Sequence, residues 1–391
     1  MPHAPCLFGH LVMLSGLYSA NEGDNLMDRR MFLRKFLDLG KKAAFLHLLA
    51  GCTNLKTSAS QTAEEAPPSP FKDYSLRELA QEKLHHGDDR FVNPFSTKEH
   101  GNMLRVLHWK LFSQNQFRSY YDQEQVVPVS IDWEPIRDDG ALSVTFVKHA
   151  SVMIKDQDQY ILVDPVFSEI FRFIKDFTPL EFDVREIPRP DHVLISHGHY
   201  DHLDTNSLAA LDRDTHVISP LGYDDIFADL RMNNRTQLDW FGTFEDGKRE
   251  IIFLPCDHWT MRNPIEGPNT SLWGSYLLKT ASGTTVYLSA DTAYFDRFQE
   301  IGREFSIDLA IINLGAYEPR WFMAGSHMNP SDTVQAFKEL GAARLMVTHW
   351  GTFRLGDEPV YFPPLEIKRE MEKEGLADRL VHLNHGETLF L

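Results

Sequence analysis

The chain has 391 residues, 42% hydrophobic and 24% charged, enough for one large domain or two ordinary ones with a substantial core. With 39 Lys+Arg against 56 Asp+Glu its formal net charge is -17, which disfavours a nucleic-acid partner because phosphate backbones reward clustered cations and repel excess carboxylate. The mixed composition excludes disorder, collagen and coiled coil as descriptions of the whole, and the three cysteines, Cys6, Cys52 and Cys256, are too few and too scattered for a disulfide framework or a structural zinc knuckle.

In chain order, residues 1–52 read as a leader. No apolar run reaches the roughly 20 residues that span a bilayer. From Met27 the sequence is MDRRMFLRKFLDLGKKAAFLHLLAGC, in which Arg29, Arg30, Phe32 and Leu33 resemble a bacterial twin-arginine signal. Leu49–Cys52 resembles the site where a signal peptidase cuts before a cysteine that then carries lipid. The expectation is a cell-envelope lipoprotein facing the periplasm and anchored to the membrane through Cys52. The competing reading is a basic amphipathic helix on a cytoplasmic protein. Residues 53–70, TNLKTSASQTAEEAPPSP, have the small, polar, proline-rich composition of a flexible tether.

Residues 71–135 form an N-terminal extension, with a helix expected over Ser75–His85 and an aromatic stretch over Val106–Phe117. The main domain is placed at 136–391. There LSVTFV, SVMI, YILVDPVF, DHVLIS, HVIS, EIIFLP, TVYLSAD, LAIINLG, ARLMVTHW and LVHLNH are β-branched or alternating runs separated by turns. Helical patterns lie between them, one from Ser331 to Leu340 with Pro330 near its first turn and Gly341 after its end. The class is α/β and layered, and periodicity alone does not choose between a sandwich and an open sheet.

The 18 histidines direct attention to metal. In SHGHYDHLD, His197, His199, Asp201 and His202 follow directly on an apolar strand, and four such groups are hard to bury unless they share a partner. His197 and His199 can share one ion while Asp201 and His202 reach a second. Further donors stand at strand ends: His258, Asp291 and His349.

The pattern HxHxDH followed by distant His, Asp and His resembles the metallo-β-lactamase superfamily. That resemblance implies an αββα sandwich with two Zn2+ at its edge. His197, His199 and His258 would hold one ion and Asp201, His202 and His349 the other, with Asp291 bridging. A hydroxide between the ions is the expected nucleophile. Nitrogen and oxygen donors without thiolate leave iron and manganese open. The flanks PCDHWTMRNPIEGPNTSLWGSY, LSADTAYF, GAYEPRWFM, SHMNP and THWGTF, with VTFVKHASVMI and LVDPVFS, resemble the N-acylphosphatidylethanolamine phospholipase D family across about residues 141–391. Lys148 stands where glycine is expected before His149.

The second resemblance implies phosphodiester hydrolysis on a phospholipid, giving phosphatidic acid and an N-acylethanolamine. His327 is the candidate for a phosphate contact or proton donor, and Tyr317, Arg320 and Trp321 for the substrate side. Trp259, Trp273 and Trp350 join Trp321 as a possible apolar wall, with core packing as the alternative. His149 and Asp164 are expected to orient ligands, and Cys256, two residues before His258 and aimed to the same side by strand alternation, is expected to stay outside the ligand set. The alternatives are a metallo-hydrolase of soluble lactones or sugar-phosphate esters, and a non-catalytic envelope lipoprotein. If the leader reading holds, Cys52→Ala moves the protein from the membrane to the soluble fraction on cell fractionation; an unchanged membrane-bound fraction contradicts it.

Overall fold

The computed structural model describes residues 70–96, 103–138, 140 and 142–391; the leader, Cys52 and nearly all of the tether lie outside the described residues. In the extension, Ser75 caps α1 (Leu76–Gln81) in a reciprocal capping box with Glu78, which satisfies two otherwise orphaned amides. The helix is shorter than expected, because Lys83 turns to φ 54 soon after it. The extension is nonetheless part of the fold, since Leu76, Leu79 and Ala80 lie in the main hydrophobic core. The helices α2 (Met103–Phe112) and α3 (Trp133–Asp138) follow.

Among the described residues the remaining chain forms two seven-stranded sheets. The first contains β1 (Ser143–Lys148), β2 (Ser151–Asp156), β3 (Gln159–Val163), β4 (His192–Leu194), β5 (His216–Pro220) and β6 (Arg235–Leu238). The second contains β7 (Thr243–Asp246), β8 (Arg249–Leu254), β9 (Ser275–Lys279), β10 (Thr285–Leu288), β11 (Leu309–Asn313), β12 (Arg344–Thr348) and β13 (Leu380–Val381). The last strand, β14 (Thr388–Phe390), crosses back to pair with β1, so the first sheet runs β14-β1-β2-β3-β4-β5-β6 and the second β13-β12-β11-β10-β9-β8-β7. In each sheet an antiparallel half passes into a parallel half, the change falling between β3 and β4 and between β10 and β11.

Side-chain alternation explains the layering. Val152 and Ile154 of β2 face the core shared with the second sheet, whereas Met153 faces Leu203, Leu208 and Phe227 on the opposite side. The latter residues belong to or adjoin the outer helices α4 (Thr205–Ala209) and α5 (Asp224–Asp229). Behind the second sheet lie α6 (Phe298–Glu304), α8 (Pro330–Leu340) and α9 (Phe362–Lys373), whose buried residues join the main core, while the short α7 (Arg320–Met323) packs Met323 into a separate cluster with Trp109 and Ala316. Helices therefore cover both outer faces, and the fold is an αββα sandwich. No helix among the described residues is long and apolar enough to cross a membrane.

The helix α8 starts and stops where the sequence requires. Asn329 accepts from the Asp332 amide at 2.8 Å, Asp332 Oδ2 accepts from the Asn329 amide at 3.2 Å, and Gly341 ends the helix at φ 62, a left-handed turn that glycine adopts without steric cost. Val334, Phe337 and Leu340 are its buried stripe. Asn329→Ala is expected to lower unfolding stability by about 1 kcal/mol, the usual cost of a lost N-cap, measured as a shift in urea midpoint with unchanged slope.

Candidate metal centre

The segment after β4 leaves the sheet at Ser196 and is tied down by Asp164, which follows β3. Ser196 donates its amide to Asp164 Oδ1 at 2.8 Å and its hydroxyl to Oδ2 at 2.6 Å. His202 Nδ1 lies 2.8 Å from the same Oδ2; a carboxylate can only accept, so this nitrogen carries a proton and Nε2 is the ring atom that would meet a metal. Gly198 passes beneath Thr260 and donates its amide to the threonine hydroxyl at 2.9 Å. A Cβ there would stand 2.8 Å from that oxygen and 2.8 Å from the Tyr223 ring, so the HGH spacing depends on the missing side chain.

Two groups of donors result. His197, His199, His258 and Asp291 form one; Asp201, His202, His349 and His149 form the other, and within each group one ligand atom per residue lies within 4.8 Å of the rest. The His199 Nδ1 is 2.9 Å from His197 Nε2 and 3.3 Å from His258 Nε2. His258 Nδ1 lies 3.1 Å from the Ser326 carbonyl, which fixes the proton there and turns Nε2 inward. Asp291 stands between the groups. Its Oδ2 is 3.1 Å from His202 Nε2 and 3.9 Å from both His197 Nε2 and His258 Nε2, and its Oδ1 is 3.3 Å from His349 Nε2. Asn313 donates to Asp291 Oδ1 at 2.9 Å and accepts from Thr348.

The electrostatics fit a cation. Burial pushes His199 and His327 down to about 4 and His149 to about 3, leaving neutral imidazoles with available lone pairs. Burial alone would raise Asp201 and Asp291, but the surrounding imidazoles, His202 foremost, outweigh it and hold both well below the usual carboxylate range. Against the opposing effect of burial, the same two carboxylates hold His202 well above the ordinary imidazole range, a positive charge whose place a bound cation would take. The Nε2 atoms of His202 and His349 are buried with no hydrogen-bond partner, although carboxylate oxygens stand 3.1–3.3 Å away. Orphaned, inward-facing nitrogens beside ionised carboxylates are what a divalent ion satisfies. Left-handed backbone at His149 (φ 50), Asp164 (φ 41), Ala290 (φ 52) and His349 (φ 67) is strained for L residues and collects around the site.

All seven residues expected as metal donors are brought together, and His149 joins them. His327 sits at the mouth, its Nδ1 3.9 Å from Asp291 Oδ2 and its side chain 15% exposed. Tyr317 and Arg320 do not face substrate with free polar atoms. Tyr317 is buried and donates its hydroxyl to Glu366 at 2.6 Å; Arg320 pairs with Asp332 at 2.6 Å and donates to the His327 carbonyl at 2.9 Å, so it fixes the His327 loop. Trp321 is exposed beside His108. Trp259 packs its ring 4.6 Å from that of His199, while Trp273 and Trp350 are core residues donating to the Cys256 and Val347 carbonyls. Cys256 belongs to neither donor group; its thiol points at the Asp291 carbonyl, and burial pushes its pKa up.

The fold and these donors define a metal-dependent hydrolase of the β-lactamase type. Residues 159–350 match the family model described as a beta-lactamase superfamily domain. The chain is 30% identical over 288 residues to N-acyl-phosphatidylethanolamine-hydrolyzing phospholipase D 1 of Caenorhabditis elegans, covering 68% of this chain and 80% of that protein. It is 32% identical over 241 residues to the mitochondrial N-acyl-phosphatidylethanolamine-hydrolyzing phospholipase D of Saccharomyces cerevisiae, covering 58% of this chain but about half of the yeast protein, 51%. A possible metal-dependent hydrolase from Veillonella parvula shares the fold with TM-score 0.54 at 15% identity, over 64% of this chain and 100% of that one. The chain belongs to the metallo-β-lactamase superfamily and, within it, to the family resembling N-acylphosphatidylethanolamine phospholipase D.

Because Asp291 faces both donor groups, Asp291→Asn is expected to lower bound metal, read by elemental mass spectrometry, and to cut turnover on the order of 10²-fold or more, with the circular dichroism of the fold unchanged. Full metal content and full rate in the variant would contradict the placement.

Proposed function

We propose that the protein hydrolyses the phosphodiester of N-acylated phosphatidylethanolamine on the headgroup side, giving phosphatidic acid and an N-acylethanolamine, at a centre of two divalent ions, zinc foremost. In this proposal His197, His199 and His258 hold one ion, Asp201, His202 and His349 the other, and Asp291 joins them. The ions would supply Lewis acidity, lowering the pKa of a water toward neutrality and offsetting the charge that grows on phosphoryl oxygens.

The chain's own residues do the rest. Asp164 fixes the His202 tautomer, and the Ser326 carbonyl does the same for His258. His327, held at the mouth by the grip of Arg320 on its carbonyl, is neutral near pH 7 because burial lowers its pKa. A neutral imidazole can donate a hydrogen bond to a phosphoryl oxygen, so the lowered pKa favours the phosphate contact over the proton-donor role. Trp259 and the exposed Trp321 offer apolar surface for acyl chains. Attachment to the cell envelope through Cys52 belongs to the same proposal and would keep the enzyme beside its substrate.

The observation that carries the substrate reading is the likeness over 80% of the C. elegans relative. The complete set of inward-facing donors weighs against a non-catalytic lipoprotein. Incubating the purified, metal-loaded protein with N-acylphosphatidylethanolamine and, separately, with lactones and sugar-phosphate esters, followed by mass spectrometry of products, tests it. Phosphatidic acid and N-acylethanolamine are expected; turnover of only the lactones or soluble esters rejects the lipid reading and favours the soluble-substrate alternative.

A further inference from the structure

Resting on the reading of the two donor groups as metal positions, we propose that His149 is a positioning residue for the second one: its ring holds Asp201 and its backbone holds His349, and it sets the affinity of that ion without ligating it.

His149 occupies the turn between β1 and β2, fully buried. Its Nε2 lies 3.1 Å from Asp201 Oδ2, the same oxygen that stands 3.3 Å from His349 Nε2 and 3.7 Å from His202 Nε2. An ionised carboxylate accepts only, so Nε2 carries the proton and donates it. A protonated nitrogen has no lone pair for a metal, and the other ring nitrogen, Nδ1, has no hydrogen-bond partner. Asp201 thus receives a fixed donor that stops its carboxylate from rotating away from His202 and His349.

The backbone of the same residue reaches the second sheet. The His149 carbonyl accepts from the His349 amide at 2.7 Å, the two rings lie 4.1 Å apart, and His149 bridges to Trp350. One residue of the first sheet therefore touches two donors of the second group, one of them at the end of β12.

Behind His149 stands a continuous polar network. Its amide donates to Thr352 Oγ1 at 2.9 Å, and that hydroxyl is 2.8 Å from Thr178 Oγ1. The Thr178 amide donates to Asp176 Oδ1 at 2.8 Å, and Asp176 Oδ2 pairs with Lys148 at 2.6 Å. Lys148 is fully buried and Asp176 nearly so, so this ion pair is desolvated and breaking it by removing one partner is costly. Lys148, the departure from the expected glycine, thereby closes a ring of contacts running from its own side chain back to the turn that carries His149.

The test compares wild type, His149→Ala and His149→Gln as full chains, with Zn2+ stripped stepwise by a chelator and counted by elemental mass spectrometry, Co2+ absorbance reporting on each position. Gln can still present an N–H to Asp201. Wild type is expected to hold two ions. His149→Ala is expected to keep one at unchanged affinity and bind the other about 10- to 100-fold more weakly, the usual effect of losing a partner that orients a ligand. Its kcat falls with that ion and returns in excess Zn2+, whereas His149→Gln stays close to wild type. Unchanged affinity for both ions in His149→Ala overturns the proposal. So does equal impairment of the Gln variant, which would make His149 a ligand, and so does joint loss of both ions with the melting temperature, which would make it merely structural. A wild type that takes up no Zn2+ fails earlier and distinctly, because it removes the metal centre itself.

Discussion

Imidazole nitrogens that face one another across hydrogen-bonding distances inside a protein repel unless something positive lies between them. Around His199 Nδ1 two other ring nitrogens stand 2.9 and 3.3 Å away, and on the far side of Asp291 the Nε2 atoms of His202 and His349 have no hydrogen-bond partner. One proton can relieve one such contact, but not the whole set at once. The surrounding structure holds these atoms in place: the Asp164 hub, the Ser326 carbonyl, the Asn313 amide and the left-handed turns at the strand ends all restrain donors that would otherwise separate.

Much of this was legible in the sequence because the signals were strong and local. SHGHYDHLD directly after an apolar strand left little choice of chemistry, and the apolar runs at 143–163, 285–288, 309–313 and 344–348 became strands. Other strands carried no comparable signal. β6 is the short, half-buried RTQL, β7 the largely solvent-facing TFED, and β14 only three residues, Thr388–Phe390; each exists because a neighbouring strand supplies its hydrogen bonds. β9 is apolar but brief, and lies behind a long loop that masks its period.

Polar side chains were harder to read than strands, since a motif gives a residue's address but not its hydrogen-bond partners. Tyr317 and Arg320 neighbour the mouth in sequence, yet their polar atoms are engaged by Glu366, Asp332 and the His327 carbonyl. Asp332 also closes the N-terminal cap of α8. The mouth is therefore fastened to a helix whose other face lies in the hydrophobic core, and disturbance at that cap reaches His327 through two contacts. The same limit applied to Lys148, whose partner Asp176 is distant in sequence and brought near only by the fold.

The donors are drawn from both halves of the sandwich: His197, His199, Asp201 and His202 hang from the first sheet, His258, Asp291 and His349 from the second. Ions held as proposed above would join the two sheets across their seam, at positions complete only once both sheets have closed. A ligand that binds the native state alone adds to its stability in proportion to the logarithm of its free concentration over Kd. On the proposed metal occupancy, the closing of the seam between the sheets would therefore be favoured in proportion to the free metal around the protein.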